Sequence, residues 1–136
     1  MKKIEVVAGI IVFQDEILCM QRNRGKYEYV SYKFEFPGGK IELGESHIEA
    51  LIRELKEELN MDVAVEEQDF FLTVQHQYPD FEVTMHSYVC KVKNKTFVRK
   101  EHADHKWLTQ DKLITLDWAP ADIPIVEKIV GGALNL

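Results

Sequence analysis

Cysteine is scarce in this 136-residue chain: Cys19 and Cys90 stand alone, with no other cysteine beside them. Two such thiols build neither a disulfide framework nor a zinc ribbon, because the ligand spacing is missing. They are expected to be reduced, half-buried strand residues. No apolar run approaches the ~20 residues that cross a bilayer. The opening Met1–Val7 has a basic start, but Glu5 interrupts any signal-like core and no cleavage site follows. It is read as a first strand and not a targeting segment, so the expected compartment is the cytoplasm and no membrane partner is expected. Positive charge is also in deficit, with 17 Lys and Arg against 23 Asp and Glu. That balance argues against a groove holding a nucleic-acid polymer by counterion release. A small phosphorylated substrate remains compatible, provided divalent cations sit between its phosphates and the protein's acids. Repeats, low-complexity tracts and linkers are lacking.

What is present is an ordinary globular composition, 46% hydrophobic and 29% charged, at a length that suits one domain. Val6 to Phe13 and Ile17 to Gln21 are strand-like runs joined at Phe13-Gln14-Asp15-Glu16, a hairpin pattern. Asn23 to Tyr32 is polar and loop-like. Lys33 to Phe36 is a short strand candidate ended by Pro37-Gly38-Gly39, a turn signal. Phe70 to Gln77 and Glu82 to Val92 are two long strand candidates, Thr96 to Trp107 holds another, and Ile125 to Val130 forms the core of a terminal helix. Strands, helix, strands, helix is the order of an α+β domain, an α/β/α layered sandwich on a mixed sheet.

Ser46 to Leu59 carries the clearest helix signal. Ser46 and Glu49 have capping-box spacing. Ile48, Leu51, Ile52, Leu55 and Leu59 form an apolar stripe, and Asn60 suits a left-handed exit. Glu54, Glu57 and Glu58 share an arc of about 100° beside that stripe, while Arg53 and Lys56 point elsewhere. Like charges at this spacing cost roughly 0.2–0.5 kcal/mol per pair, and acids late in a helix oppose its dipole. Taken alone, the triplet reads as a solvated acidic face. As a ligand set for a hard cation such as Mg²⁺, the same carboxylates would be stabilised.

The residues around the triplet decide between the two. Gly39, five residues, Glu45, seven residues, then Arg53-Glu54-Leu55-Lys56-Glu57-Glu58-Leu59-Asn60-Met61 resembles the Nudix box, departing from it only where Asn60 replaces a glycine. Phe34-Glu35-Phe36-Pro37-Gly38-Gly39-Lys40 is similar to the lead-in of the MutT-like branch, and Ala119-Pro120-Ala121-Asp122-Ile123-Pro124 to the base-recognition loop of its cytidine-nucleotide members. The resemblance implies a single Nudix hydrolase domain over residues 1–136. It implies cleavage of a nucleoside triphosphate by water to a monophosphate and pyrophosphate, with Mg²⁺, or alternatively Mn²⁺, held by Glu54, Glu57, Glu58, Glu101 and the Gly39 carbonyl. It assigns Glu45 and Arg53 an orienting pair, and it leaves Glu54, Glu57 and Glu101 as candidates for the general base, Glu54 first.

Arg22 and Lys40 are candidate phosphate contacts. Asp122 is the candidate base contact, because a carboxylate accepts from the cytosine amino group or from the edge of guanine. Phe36, Phe81 and Trp118 are candidate stacking residues, each also explicable as core. The resemblance favours a cytidine nucleotide over an oxidised guanine nucleotide. A dinucleoside polyphosphate, a nucleotide sugar and a non-catalytic binding module are the other readings. The five histidines, 47, 76, 86, 102 and 105, share no ligand spacing and are read as surface residues. Monomer and homodimer both remain open.

Overall fold

Residues 6–12 are apolar at every position except Gly9, and a strand with two apolar faces must be covered on both. A computed structural model, which describes residues 1–134, shows how this is met. Strand β1 (Lys2–Phe13) turns at Gln14, whose φ of 54° is left-handed, into β2 (Glu16–Gln21). The short β3 (Phe34–Glu35) and β4 (Gly38–Lys40) precede helix α1 (His47–Leu59). Then come β5 (Phe70–Gln77), β6 (Phe81–Lys91), β7 (Asp104–Thr109) and α2 (Ile123–Lys128). The sheet runs β3-β2-β1-β6-β5, with β7 on β2 and β4 on β1. β1 and β6 pair in parallel from Lys2↔Phe81 to Val12↔Lys91, whereas the other ladders are antiparallel, so the sheet is mixed.

Alternation along β1 divides the core. Val7 and Ile11, with Leu18 and Met20 of β2, face Leu51, Leu55 and Leu59 of α1. Ala8, Ile10 and Val12, with Ile17 and Cys19, face Trp118 and the α2 residues Ile125 and Val126. One helix on each face makes the expected α/β/α layering of an α+β fold. Both cysteines are fully buried and not half-buried, since each lies on an inner strand covered by a helix; burial raises each thiol to about 12. Among the described residues, no helix is long and apolar enough to cross a membrane.

The hairpin parts soon after its turn. β1 and β2 pair at Val12↔Ile17 and Phe13↔Glu16; further along, β2 takes β3 as its partner and β1 takes β4. The chain crosses the resulting gap at Pro37, whose carbonyl accepts from Gly9 N–H at 2.8 Å. The expected turn at Pro37-Gly38-Gly39 is therefore corrected to a crossing that leads into a strand. Glycine is needed there for close approach: a Cβ on Gly38 would lie 1.9 Å from the Val7 carbonyl oxygen. The third late strand is also shorter than the sequence indicated, starting at Asp104.

Helix α1 has the expected ends. Ser46 and Glu49 form the complete capping box, and Asn60 closes the helix in a left-handed conformation at φ 52°. Its buried face, however, is rolled roughly 60° from the apolar stripe toward the acidic side. Ala50 is buried, while Ile52, expected in the stripe, is 38% exposed. The same roll turns Glu54 inward, at 14% side-chain exposure, and leaves Glu57 outward at 60%.

Left-handed backbone costs an ordinary L-residue roughly 1–2 kcal/mol, a penalty that Asn partly escapes and Gly avoids. Asn60→Gly should therefore match or exceed the wild type in urea unfolding, and Asn60→Ala should lose about 1 kcal/mol. Equal midpoints for all three proteins would contradict this account of the helix exit.

Candidate active site

The acidic side of α1 is organised by Arg53. Its Nε and Nη2 form a fork on Glu45, at 2.7 and 2.9 Å, and Nη2 also donates to the Lys40 carbonyl at 3.0 Å. Nη1 donates to Glu54 at 2.9 Å and to Glu57 at 3.2 Å. Arg53 thus does not project away from the acids, as helical spacing alone indicated; a long side chain reaches its i+1 and i+4 neighbours. The fork holds the Glu45 carboxyl down at about 2, assisted by the Glu42 backbone N–H, and it raises the guanidinium further above its normal range. Gly39 lies directly under Glu54, where a Cβ would meet the carboxyl group at 2.4 Å.

A second network lies deeper. Glu35, on β3, accepts from Arg22 at 2.8 Å and is joined by His102 Nε2 at 3.0 Å. Burial pushes the Glu35 carboxyl up, but the bonds from His102 and Arg22 outweigh it and hold the group low. Beside it, Glu58 has no such partner. Burial, with the charges of Glu35, Glu54 and Glu101, drives Glu58 to about 8. Among the described residues, three buried side-chain polar atoms lack a partner: Glu58 Oε2, Arg22 Nε and His102 Nδ1, all in this network. His102 was read as a surface residue, yet its side chain is 7% exposed. Its sequence neighbours are polar, so no periodicity marked it; Glu35, which it meets, was likewise missed as a site residue.

Glu58, Glu35, Arg22, Gly39 and Lys40 line a cavity of about 480 Å³, within the size range of small-molecule sites. The rest of its lining is largely apolar and aromatic, including Tyr27, Tyr78, Phe81 and Phe36, and Asp122 also contributes to it. Asp122 Oδ1 accepts from Phe36 N–H at 3.0 Å. Burial, then the charge of Glu35, raises its carboxyl well above the ordinary value. Trp118 is core and not a stacking residue: it is buried, donates to the Leu113 carbonyl at 2.7 Å and stacks on Phe36 at 4.7 Å. Phe81 is half-buried in the cavity wall, tilted against Tyr27 at 5.3 Å. Glu101 is exposed in the loop before β7, tied through its carbonyl to Asn23.

The residues fit a divalent cation. Glu58 offers an oxygen that nothing in the protein satisfies, Glu54 is raised mainly by burial, and Gly39 leaves its backbone open to approach. Arg53 takes an oxygen of Glu54 and one of Glu57. Among the described residues, no three of Glu54, Glu57, Glu58 and Glu101 bring ligand atoms within 4.8 Å of one another; Glu5, His47 and His86 do.

Glu58 makes stability pH-dependent in a defined direction. Its native value of about 8 lies above the ordinary 4.5, so its contribution is fully present below ~4.5 and is lost as pH rises through about 8. Glu45, held at about 2, acts in the separate window below its ordinary 4.5, losing its contribution as pH falls. In urea unfolding without divalent cation, Glu58→Gln should gain stability over the wild type as pH rises from ~5 to ~8. A pH-independent difference between the two proteins would show that Glu58 is not desolvated.

Residues 3–129 of the chain match the NUDIX domain. The CTP pyrophosphohydrolase of Escherichia coli K12 is 35% identical over 127 residues, covering 93% of this chain and 91% of that protein. The 8-oxo-dGTP diphosphatase of the same strain is 30% identical over 129 residues, covering 95% and 98%. A solution structure of a MutT protein from methicillin-resistant Staphylococcus aureus 252 superposes with a TM-score of 0.75 at 39% identity, covering 96% of this chain and 98% of that one. The match spans both the acidic helix and the cavity wall, and the chain belongs to the Nudix hydrolase family, with relatives of the MutT-like branch.

Proposed function

We propose that this Nudix hydrolase cuts a nucleoside triphosphate to a monophosphate and pyrophosphate, and that a cytidine nucleotide is its preferred substrate. The observation that carries the catalytic reading is the inward roll of α1, which turns the half-buried Glu54 over Gly39 and leaves the unpartnered Glu58 Oε2 in the lining of the cavity. A stability-driven helix would bury Ile52 instead. Glu54, Glu57, Glu58, Glu101 and the Gly39 carbonyl are proposed to hold the cation, taken as Mg²⁺ with Mn²⁺ as substitute. When bound, it neutralises the phosphate oxygens and acidifies water at the site.

The chain's own groups supply the rest. Arg22 and Lys40, both on the cavity wall, face the polyphosphate, and the Arg22 Nε is free to donate. Glu54 is assigned to take the proton of the attacking water, with Glu57 and Glu101 as competing assignments. Its Oε1 is occupied by Arg53, which leaves Oε2 for that task. Glu45 and Arg53 hold the Gly39–Glu45 loop against the helix.

Asp122 underlies the substrate reading. A neutral carboxyl group offers one donor and one acceptor. Cytosine presents an amino donor beside a ring acceptor, whereas guanine presents two adjacent donors and suits an ionised carboxylate. Burial of Asp122 beside Glu35 favours the neutral form, hence cytosine. The likeness to an 8-oxo-dGTP diphosphatase supports the second reading, an oxidised guanine nucleotide. A non-catalytic binding module is disfavoured because the box acids are all retained.

Glu57→Gln should lower kcat at least ~100-fold while the protein remains folded, as read by pyrophosphate release and circular dichroism; unchanged turnover would remove the mechanism. Across a nucleotide panel, kcat/KM should be highest for CTP or dCTP. A clear preference for 8-oxo-dGTP would overturn the cytidine assignment and leave the hydrolase assignment standing.

A further inference from the structure

On the α1 face of the sheet, away from the nucleotide cavity, three residues from separate elements converge: Glu5 of β1, His47 at the start of α1 and His86 of β6. Each offers a ligand atom, and these lie within 4.8 Å of one another. The His47 and His86 rings stack at 3.9 Å with planes 15° apart. One carboxylate oxygen, Glu5 Oε1, stands 2.7 Å from His86 Nε2 and 3.9 Å from His47 Nε2. The far nitrogen of each ring is engaged by a hydroxyl: His86 Nδ1 with Thr73 Oγ1 at 2.9 Å, and His47 Nδ1 with Tyr88 OH at 3.5 Å.

We propose that Glu5, His47 and His86 form a second metal site, selective for a first-row transition ion such as Zn²⁺ and distinct from the carboxylate site on the same helix. Two imidazoles and one carboxylate are a borderline-soft set that suits Zn²⁺ or Co²⁺ and suits Mg²⁺ poorly. With an ion in place of the proton on Nε2, each Nδ1–H can donate to its hydroxyl, Thr73 Oγ1 or Tyr88 OH, the usual outer-sphere arrangement around a ligating histidine. His47 and Glu5 are 40% and 57% exposed at the side chain, so an ion has access, whereas His86, at 12%, is held in place. The positive end of the α1 dipole lies beside His47 and opposes a cation, which makes the Glu5 charge indispensable. Glu54 follows His47 by seven residues, about 10 Å along the helix axis, so one ion cannot serve both sites.

The sequence reading of the histidines as unrelated surface residues is corrected here. His47 and His86 are 39 positions apart in the chain; the register of β6 against β1, with Glu5 opposite Thr84 and Val7 opposite His86, sets His86 beside Glu5, and the start of α1 brings His47 against them.

The test is a Co²⁺ titration of the full chain in excess Mg²⁺, followed by visible absorption and by competition with a chromophoric chelator. The wild type should bind one Co²⁺ that Mg²⁺ does not displace. His47→Gln and Glu5→Gln should each bind it at least about tenfold more weakly, with Mg²⁺-supported turnover unchanged. Displacement of Co²⁺ by Mg²⁺, or equal affinity in wild type and both variants, would overturn the site. Should either variant fold poorly, histidine ring resonances of the wild type decide it: Zn²⁺ should shift those of His47 and His86, and unmoved signals would refute the proposal.

Discussion

A single guanidinium, that of Arg53, ties the acidic helix to the loop before it. All five of its N–H groups are placed: two on Glu45, one on the Lys40 carbonyl, one each on Glu54 and Glu57. The fork to Glu45 fixes residues 40–45 against α1, and the bond to the Lys40 carbonyl sets the depth at which the preceding Gly39 runs under Glu54. A lysine at this position could make three bonds from a point charge but could not hold that plane. The guanidinium also offsets repulsion among carboxylates that the helix would otherwise disfavour. Its partners Glu54 and Glu57 are also among the residues proposed to hold a cation, so binding there must redistribute these bonds without releasing Glu45.

The cavity owes its existence to the parting of β1 and β2. Had the hairpin zipped along its full length, no gap would separate the two strands and Phe34–Lys40 would have no edge to cross between. Because β2 turns to β3 and β1 turns to β4, Glu35 on the β2 ladder and Gly39 on the β1 ladder both reach one opening, which Glu58 also lines. Pro37 marks the crossing and the two glycines let the backbone lie against β1. The roll of α1 completes the arrangement: a helix seated on its most apolar line would bury Ile52 and turn Glu58 out to solvent.

What was legible in the chain was what is decided locally. The capping box, the left-handed Asn60, the Phe13–Glu16 hairpin and the strand character of Val6 to Phe13 follow from residues within one or two turns of each other, and they stand as read. What was not legible depends on partners far away in sequence. Periodicity located the apolar line of α1, but the seat of the helix is set by Gly9, which lets Leu55 come close, and by Gly39, which admits Glu54. A Pro-Gly-Gly triplet carries a turn signal in isolation, and only the presence of an open β1 edge makes it a strand. Likewise, His102 and Glu35 are 67 positions apart and nothing in either neighbourhood marks their meeting.

The residues proposed to read the base and to hold the cation are joined through Arg22 and Glu35. Arg22 bonds Glu35, and both lie close enough to act electrostatically on Asp122 and on Glu58. The residue proposed to read the base and the residue proposed to hold the cation therefore share a common pair of charged neighbours. Glu35 raises both Asp122 and Glu58, whereas Arg22 lowers both. A change in the charge of Glu35, or in its bond to Arg22, would therefore move both groups in the same direction.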